Sequence, residues 1–174
     1  MSERQPHIPV MMNEVLDALQ VRDGEVYVDG TFGAGGYTSA ILNAAQCSVI
    51  AIDRDPTAIQ AGQDIAEKFS PRLTLVQDQF GNVARHIDQT VDGFVLDIGV
   101  SSMQLDQAER GFSFMREGPL DMRMGGGESA ADLISSIAEE DLANLIYKYG
   151  EDRQSRRIAE AIVAAREEAD IKTT

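Results

Sequence analysis

The feature that most constrains the fold is a short apolar run that ends in a glycine-rich turn. The run Val26–Val28 leads directly into Asp29-Gly30-Thr31-Phe32-Gly33-Ala34-Gly35-Gly36, and a helix-like stretch over 37–45 follows. Glycines let the backbone turn tightly after a strand and approach a ligand closely. The sequence therefore predicts a strand, a ligand-binding turn and a helix, in that order.

The same alternation of apolar run and helix continues as far as about residue 98. Continuous apolar runs are typical of strands that are buried on both faces of a parallel sheet, and strand–helix repetition is typical of the doubly wound α/β class. Asp55 can cap a helix that has Pro56 in its first turn. The further predicted elements are strands over 48–52, 73–76 and 93–98, a helix from 56 to about 69, and a short helix over 83–89.

The character of the sequence changes after Gln104. A loop rich in Arg, Gly, Phe and Met runs to Gly127, and Ser129 to Asp132 can form a capping box. Helices are predicted over 130–137, 139–149 and 153–169, the last with an apolar stripe of Ile158, Ala161, Ile162 and Ala165. We therefore predict an α/β part over 1–104 and a helical part over 105–174.

Acidic residues stand at the predicted strand ends, where ligands of parallel sheets bind. Asp53 follows the glycines Gly33 and Gly35 at the place where an acid accepts hydrogen bonds from both ribose hydroxyls. The dinucleotide fingerprint fails at its third position, which is Thr38. Asp29 and Asp97 suit the sulfonium and ammonium groups of S-adenosyl-L-methionine (AdoMet), although Asp29 is also an ordinary turn residue.

Several other residues leave their role open. Phe80 can pack against an adenine or belong to the core, and its sequence context favours neither. Cys47 precedes an apolar run, as a structural cysteine does. His7 and His86 have no partners at metal-ligand spacing, so no metal is predicted.

Composition limits the function classes. The net charge of −14 over 174 residues argues against a generally basic, nucleic-acid-binding surface. A single cysteine excludes an intrachain disulfide. No apolar run approaches the roughly 20 residues that span a bilayer, and the N-terminal residues do not resemble a signal peptide. We therefore expect a cytoplasmic protein with no membrane segment.

Five segments together resemble the RsmH (MraW) family, whose members methylate 16S ribosomal RNA at a cytidine N4. The resemblance runs from His7 to the final helix. Its most specific block lies between Leu96 and Met124. The segments are Asp29 to Tyr37, Ala51-Ile52-Asp53-Arg54-Asp55-Pro56, Leu96 to Asp106, Arg110-Gly111-Phe112-Ser113-Phe114 and Gly118-Pro119-Leu120-Asp121-Met122-Arg123-Met124.

The resemblance implies a class I AdoMet-methyltransferase fold, with a Rossmann-like parallel sheet and an inserted helical domain that is incomplete here. It implies that the substrate is 16S rRNA of the small ribosomal subunit. The catalytic residues would be Asp97, Ser101 and Ser102. Some members carry His where this chain has Tyr37. The family's AdoMet contacts would map onto Gly35, Gly36, Tyr37, Asp53, Phe80, Asp97 and Gln104. Asp29 and Gly33, which the strand-end pattern indicates, complete the predicted cofactor-binding set.

For the RNA we expect arginines that contact phosphate and aromatic rings that stack on bases. These residues are Arg110, Phe112, Phe114, Arg116 and Arg123. The arginines at 153, 156 and 157 fit a solvated helix face equally well.

The sequence also allows three other interpretations of the function: an NAD-dependent oxidoreductase, a non-catalytic AdoMet-binding fragment, and a methyltransferase of DNA or a free nucleobase. The unpaired edge of a four-stranded sheet also makes a homodimer one arrangement that the sequence allows.

Overall fold

The computed structural model describes residues 9–174, except for the side chains of Ser102 and Met103. His7 and the expected lack of a signal peptide concern residues outside that range. The chain forms two compact units, and the first ends at Ser101. This division falls close to the predicted boundary after Gln104.

The first unit contains a four-stranded parallel sheet with the strand order β3-β2-β1-β4. The predicted parallel α/β sheet is thus confirmed. Chain order reverses at β1, because β2 lies on one side of it and β4 on the other. In open α/β sheets such a reversal is where ligands bind, beyond the carboxyl ends of the strands. The strands are β1 (Val26–Asp29), β2 (Ser48–Asp53), β3 (Leu73–Gln77) and β4 (Gly93–Val95).

The fourth strand is shorter than the sequence predicts. It ends at Val95 rather than at Ile98, because its partner β1 ends at Asp29, which is paired with Val95. Beyond that point β1 has turned into the glycine-rich loop, and the ladder has no further partner on that side. Asp97 therefore lies in an exposed segment after the strand and does not close a buried one.

Burial on both faces holds for the centre of the sheet but not for its edges. Successive side chains of a strand point to opposite faces, and Tyr27 and Val28 of β1 are both buried. Tyr27 belongs to the main core cluster with Val49 and Ala51. In β4, Phe94 is exposed, so the prediction that the strands are buried on both faces is wrong for this strand.

Four helices accompany the sheet: α1 (Met12–Leu19), α2 (Gly36–Ala44), α3 (Pro56–Ala61) and α4 (Gln63–Lys68). The sequence interpretation did not include α1, although Met12, Val15, Leu16 and Leu19 have helical spacing and pack against the core. The Asp55 cap is confirmed, since its carboxylate accepts from the Thr57 N–H at 2.9 Å.

Two helix predictions in this unit need correction. The helix expected over 56–69 is interrupted at Gly62, where a Cβ would collide with the ring of Phe32. The short helix expected over 83–89 is a 3₁₀ helix at Phe80–Arg85. The Asp78 carboxylate accepts hydrogen bonds from the side chains of Asn82 and His86, and these contacts fix this earlier segment.

The second unit is helical, as predicted. It contains α5 (Ser102–Asp106), a 3₁₀ helix (Ala108–Arg110), α6 (Ala130–Ser136), α7 (Glu139–Gly150) and α8 (Ser155–Glu168). The capping box at Ser129 and Asp132 is confirmed in both directions.

The predicted apolar stripe of α8 is partly wrong. Ala161 and Ala165 are exposed, whereas Ser155 and Ala159 are buried. Ala159 packs in a cluster with Leu142 and Ala143 of α7, so the face that meets the neighbouring helix is rotated from the predicted one.

Among residues 9–174, no helix has both the length and the apolar character needed to cross a membrane. Over the same range, no group of three or more His, Cys, Asp or Glu side chains is arranged to hold a metal ion.

Candidate functional site

The candidate site of the first unit lies where the carboxyl ends of β1, β2 and β4 meet. The loop after β1 is tied to both neighbouring strands. The Gly30 N–H donates to the Val95 carbonyl, and the Phe32 N–H donates to the Ile52 carbonyl, each at 3.0 Å. These bonds fix the glycine-rich loop across the strand ends, as a ligand-binding turn requires.

Asp53 holds the glycine-rich loop with one oxygen and the start of the next helix with the other. Its Oδ2 accepts from the Gly33 N–H and its Oδ1 from the Asp55 N–H, both at 2.8 Å. The side chain is only partly buried. Each carboxylate oxygen has two acceptor positions, so Asp53 can bind two hydroxyls of a ligand while keeping these contacts.

Asp29 lies beneath the loop rather than in it. It is fully buried, and its carboxylate accepts from the Thr31 N–H at 3.1 Å and from the Thr38 hydroxyl at 2.7 Å. Burial raises the pKa of Asp29 to about 6. These contacts favour a loop-positioning role over direct contact with a cationic ligand. Thr38, at the position where the dinucleotide fingerprint has its third glycine, donates its hydroxyl to Asp29 instead.

Gly35 is the N-cap of α2, and Gly36 and Tyr37 are its first two residues. Gly35 has a φ of +74°, and a Cβ there would lie 2.8 Å from the Phe32 ring, so only glycine fits. Gly36 packs tightly against Pro9. The Tyr37 hydroxyl donates to the Val10 carbonyl. Tyr37 is therefore directed at the segment before α1, and its hydroxyl is occupied there.

Phe80 opens the 3₁₀ helix that follows β3, and 44% of its surface is exposed. Its Cβ lies 3.2 Å from the position that a Cβ on Gly30 would take. The side chain thus rests beside the strand-end loop and not in the core. Its placement favours the adenine-stacking alternative.

Asp97 is joined to the loop through its backbone. Its N–H donates to the Thr31 hydroxyl at 2.8 Å, and its side chain is exposed. Ser101 is partly buried. Ser102 begins α5, and its side chain lies outside the described part of the chain. Gln104 belongs to α5 and is buried.

The arginines of the second unit that were predicted to bind RNA are engaged within the chain. Arg123 forms a bidentate pair with the Asp121 carboxylate, at 2.8 and 2.6 Å, and reaches the Gly127 carbonyl at 3.1 Å. This pairing lowers the pKa of Asp121 to about 2 and raises that of Arg123. The contacts favour a loop-stabilising role for Arg123.

Arg110 and Arg116 also contact backbone carbonyls. Arg110 donates to the Arg123 carbonyl at 2.9 Å, and its guanidinium lies 5.8 Å from the centre of the Phe112 ring. Arg116 donates to the Asp106 carbonyl at 3.1 Å. Phe114 is 88% exposed. Of the five predicted RNA-binding residues, Phe114 is the one whose placement best fits base stacking.

The residues at the strand ends suit a ligand with a ribose, an adenine and positive charge. The partly buried carboxylate of Asp53 can accept from ribose hydroxyls, and the Phe80 ring offers an exposed face. The exposed carboxylate of Asp97 suits a cation. A Cβ on Gly33 would have no heavy atom closer than the Thr31 carbonyl at 3.8 Å, so the backbone there is open to a close approach.

Two features of the site were not identified from the sequence. Thr31 links the loop to Asp97, although it stands inside a motif that was singled out for its glycines. Asp78, which precedes the 3₁₀ helix, bonds to Asn82 within the helix and to His86 just after it. Spacings of four and eight residues in a loop carry no periodic signal, so this contact is visible only in the structure.

Fold and site together define a Rossmann-like protein of nucleotide-binding type. The chain belongs to the MraW methylase family, whose sequence profile matches residues 4–174. The predicted class I methyltransferase fold is thereby confirmed. Since the family is one of methylases, AdoMet rather than a nicotinamide is the cofactor.

Curated relatives agree with the family assignment. A ribosomal RNA small subunit methyltransferase H from Parvibaculum lavamentivorans is 62% identical over 97% of this chain and 51% of its own length. The protein of the same name from Xanthobacter autotrophicus is 61% identical over 97% of this chain and 50% of its own length. The chain spans about half the length of the curated relatives it matches.

Solved structures give more distant similarity. An rRNA methylase from Streptococcus thermophilus is 18% identical, with a TM-score of 0.46 over 55% of this chain and 58% of that one. The C-terminal domain of precorrin-6Y C5,15-methyltransferase from Rhodobacter capsulatus is 18% identical, with a TM-score of 0.47 over 83% of this chain and 73% of that one.

Proposed function

We propose that this chain is the cofactor-binding part of a cytoplasmic enzyme that transfers a methyl group from AdoMet to the exocyclic N4 of a cytidine in 16S rRNA of the small ribosomal subunit. The observation that carries the proposal is the position of Asp53. Its carboxylate holds the open glycine-rich loop of a methylase-family chain and keeps acceptor positions for a ribose. The names of the curated relatives support ribosomal RNA as the substrate.

Bound AdoMet would supply an electrophilic methyl group on a sulfonium. The residues of this chain would bind and orient the two reactants. Asp53 would hold the ribose, Phe80 the adenine, and the backbone at Gly33 and Gly35 would allow close approach. Orienting two reactants in this way accounts for several kcal/mol of a typical barrier, on the order of 7 or more in favourable cases.

Asp97 is the group proposed to act on the target amine. The N4 nitrogen of cytosine is a poor nucleophile, because its lone pair is delocalised into the ring. A carboxylate that accepts from the amino hydrogens favours a pyramidal nitrogen and can take the departing proton. The bond from the Asp97 N–H to Thr31 keeps this segment beside the cofactor loop. Ser101 and Ser102 are proposed to help hold the base, and Gln104 to complete the cofactor site.

The first experiment is a calorimetric titration of the chain with S-adenosylhomocysteine, with NADH in parallel. We expect S-adenosylhomocysteine to bind and NADH not to bind. Asp53→Ala should weaken binding by about 100-fold, because two ribose hydrogen bonds to a charged group are lost together with the bond to Gly33. Asp64→Ala removes an exposed carboxylate of α4 and should bind like the unaltered chain.

The activity itself is tested by measuring methyl incorporation into small ribosomal subunits. Asp97→Asn should lower the rate of methyl incorporation by about 100-fold or more, the range of a lost general base. Full turnover by this variant would remove Asp97 from the reaction. A methyl acceptor other than cytidine N4 would change the substrate assignment while leaving the cofactor site intact.

A second candidate function is that of a non-catalytic AdoMet-binding fragment. It is favoured by the net charge of −14, which opposes binding of a polyanionic substrate. Such a chain would bind S-adenosylhomocysteine but would not methylate small subunits. DNA or a free nucleobase as methyl acceptor would be detected in the same assay.

A further inference from the structure

The segment that carries Phe80 is held by a cluster of polar contacts that centre on Asp78. The Asp78 N–H donates to the Asp53 carbonyl at 3.1 Å, which extends the pairing of β2 with β3 by one residue. This bond fixes the backbone of Asp78, and with it the base of its side chain, next to Asp53, the residue proposed to bind the ribose.

Both oxygens of Asp78 are used within the loop. Oδ1 accepts from the Gln79 N–H at 2.7 Å and from the Asn82 side-chain amide at 2.8 Å. Oδ2 lies 2.7 Å from His86 Nε2. The hydrogen bond from His86 is the main reason that the pKa of Asp78 is lowered to about 2. The contacts reach across the 3₁₀ helix from the residues before it to the residue after it.

The 3₁₀ helix needs such support. Helices of this kind are short and have poor hydrogen-bond geometry. At the two ends of this one, the backbone N–H of Asn82 donates to the Gln79 carbonyl at 2.8 Å, and the backbone N–H of His86 donates to the Val83 carbonyl at 2.9 Å. Phe80 stands at its first position with nearly half of its surface exposed. Core packing therefore does not fully fix the direction of its ring.

We propose that Asp78 and His86 form a clamp that positions the ring of Phe80 for the adenine of the cofactor, and that this clamp contributes to cofactor affinity. Neither residue needs to touch the cofactor, because both act through the 3₁₀ helix. The inference rests on the proposed function, since it assumes that Phe80 contacts the adenine. It adds two positioning residues to that site.

The test measures the affinity for S-adenosylhomocysteine of the unaltered chain, His86→Leu, Phe80→Ala and the double variant. His86→Leu should weaken binding about three- to tenfold, the value of a well-placed aromatic contact. Phe80→Ala should weaken it by about tenfold. The double variant should bind no more weakly than Phe80→Ala alone, because residues that act through one contact are not additive.

Two variants separate positioning from general stability. His86→Gln keeps an N–H donor for Asp78 and should recover most of the affinity. Arg85→Gln alters the exposed neighbour in the same helix and should bind normally. Thermal unfolding of every variant is recorded beside the titration.

The outcomes distinguish the two proposals. If the unaltered chain does not bind S-adenosylhomocysteine, the proposed cofactor site is wrong and the clamp has no role. If it binds, and His86→Leu binds equally well, only the clamp is wrong. Additive losses in the double variant, or no recovery with His86→Gln, would also reject positioning through Phe80.

Discussion

At the level of single residues, the buried carboxyl group of Asp29 helps to hold the glycine-rich loop in place. Its two oxygens accept hydrogen bonds from the Thr31 N–H and the Thr38 hydroxyl. The Thr31 hydroxyl in turn accepts from the Asp97 N–H. One chain of hydrogen bonds thus runs from α2 beneath the loop to the segment after β4. Because Asp29 has no exposed surface, a change in its charge acts on the fold and not directly on a ligand.

The stability of the protein should depend on the protonation of Asp29. Burial raises its pKa from 3.8 to about 6. The folded state therefore holds the proton more tightly than the unfolded state does. The stabilisation that the protonated Asp29 carboxyl gives the folded state is therefore fully present below about pH 4 and is lost as the pH rises through about 6. Relative to Asp29→Asn, the free energy of unfolding of the unaltered chain should fall by up to about 3 kcal/mol between these values.

Urea unfolding at a series of pH values measures this difference. Asn has the size of Asp and can serve both Thr31 and Thr38. The exposed Asp64 provides the control, since Asp64→Asn removes one carboxylate without touching the loop. Parallel pH profiles for the unaltered chain and Asp29→Asn would contradict the prediction.

At the level of elements, helix ends are joined to their neighbours by arginines. The Arg72 guanidinium donates to the carbonyls of Leu42, Ala45 and Cys47, where α2 ends and β2 begins. Arg166 of α8 donates to the carbonyls of Ile134 and Ile137 at the end of α6, at 2.6 and 2.8 Å. The last carbonyls of a helix have no partner within it, so each arginine satisfies acceptors that burial would otherwise leave unpaired.

Replacing Arg166 should therefore destabilise the helical unit. Arg166→Met keeps the apolar stem but removes two charge-assisted bonds, and we expect the free energy of unfolding to fall by about 2 kcal/mol. Arg157→Met on the exposed side of the same helix should change it by less than about 0.5 kcal/mol. Thermal and urea unfolding, followed by circular dichroism, provide the comparison. Equal effects of the two substitutions would show that the contacts of Arg166 contribute nothing measurable.

At the level of the whole molecule, the sheet has an open apolar edge. In the described part of the chain β4 pairs with β1 alone, and Phe94, Leu96 and Ile98 are exposed along and after it. An unpaired strand edge with apolar side chains is a template for pairing with another chain. The homodimer suggested by the sequence stays a prediction, and this edge is where we expect it to form.

Self-association through this edge has a direct test. The average mass in analytical ultracentrifugation should rise with protein concentration, and Phe94→Lys should abolish the rise, because a charge opposes burial of the edge. Tyr149→Lys places the same charge at an exposed aromatic position on α7 and should leave association unchanged. A mass that stays that of one chain at all concentrations would reject the homodimer.

The sequence by itself determined the α/β class, the order of the strands along the chain and the glycine–acid pairing of the site. These depend on local signals: apolar runs, the Asp55 cap, and glycines where only glycine fits. The family motifs also identified AdoMet as the cofactor. Such features are local in the chain, so they can be recognised before any tertiary contact is known.

Only the tertiary structure decided how far each element extends and what each polar side chain contacts. The strand β4 stops at Val95 because its partner ends, and the helix after Pro56 breaks where Phe32 passes Gly62. Arg123 forms an ion pair with Asp121, and the Tyr37 hydroxyl donates to the Val10 carbonyl. Asp78 and His86 meet across a 3₁₀ helix that no sequence period marks. Each of these outcomes depends on a contact that only the folded chain creates.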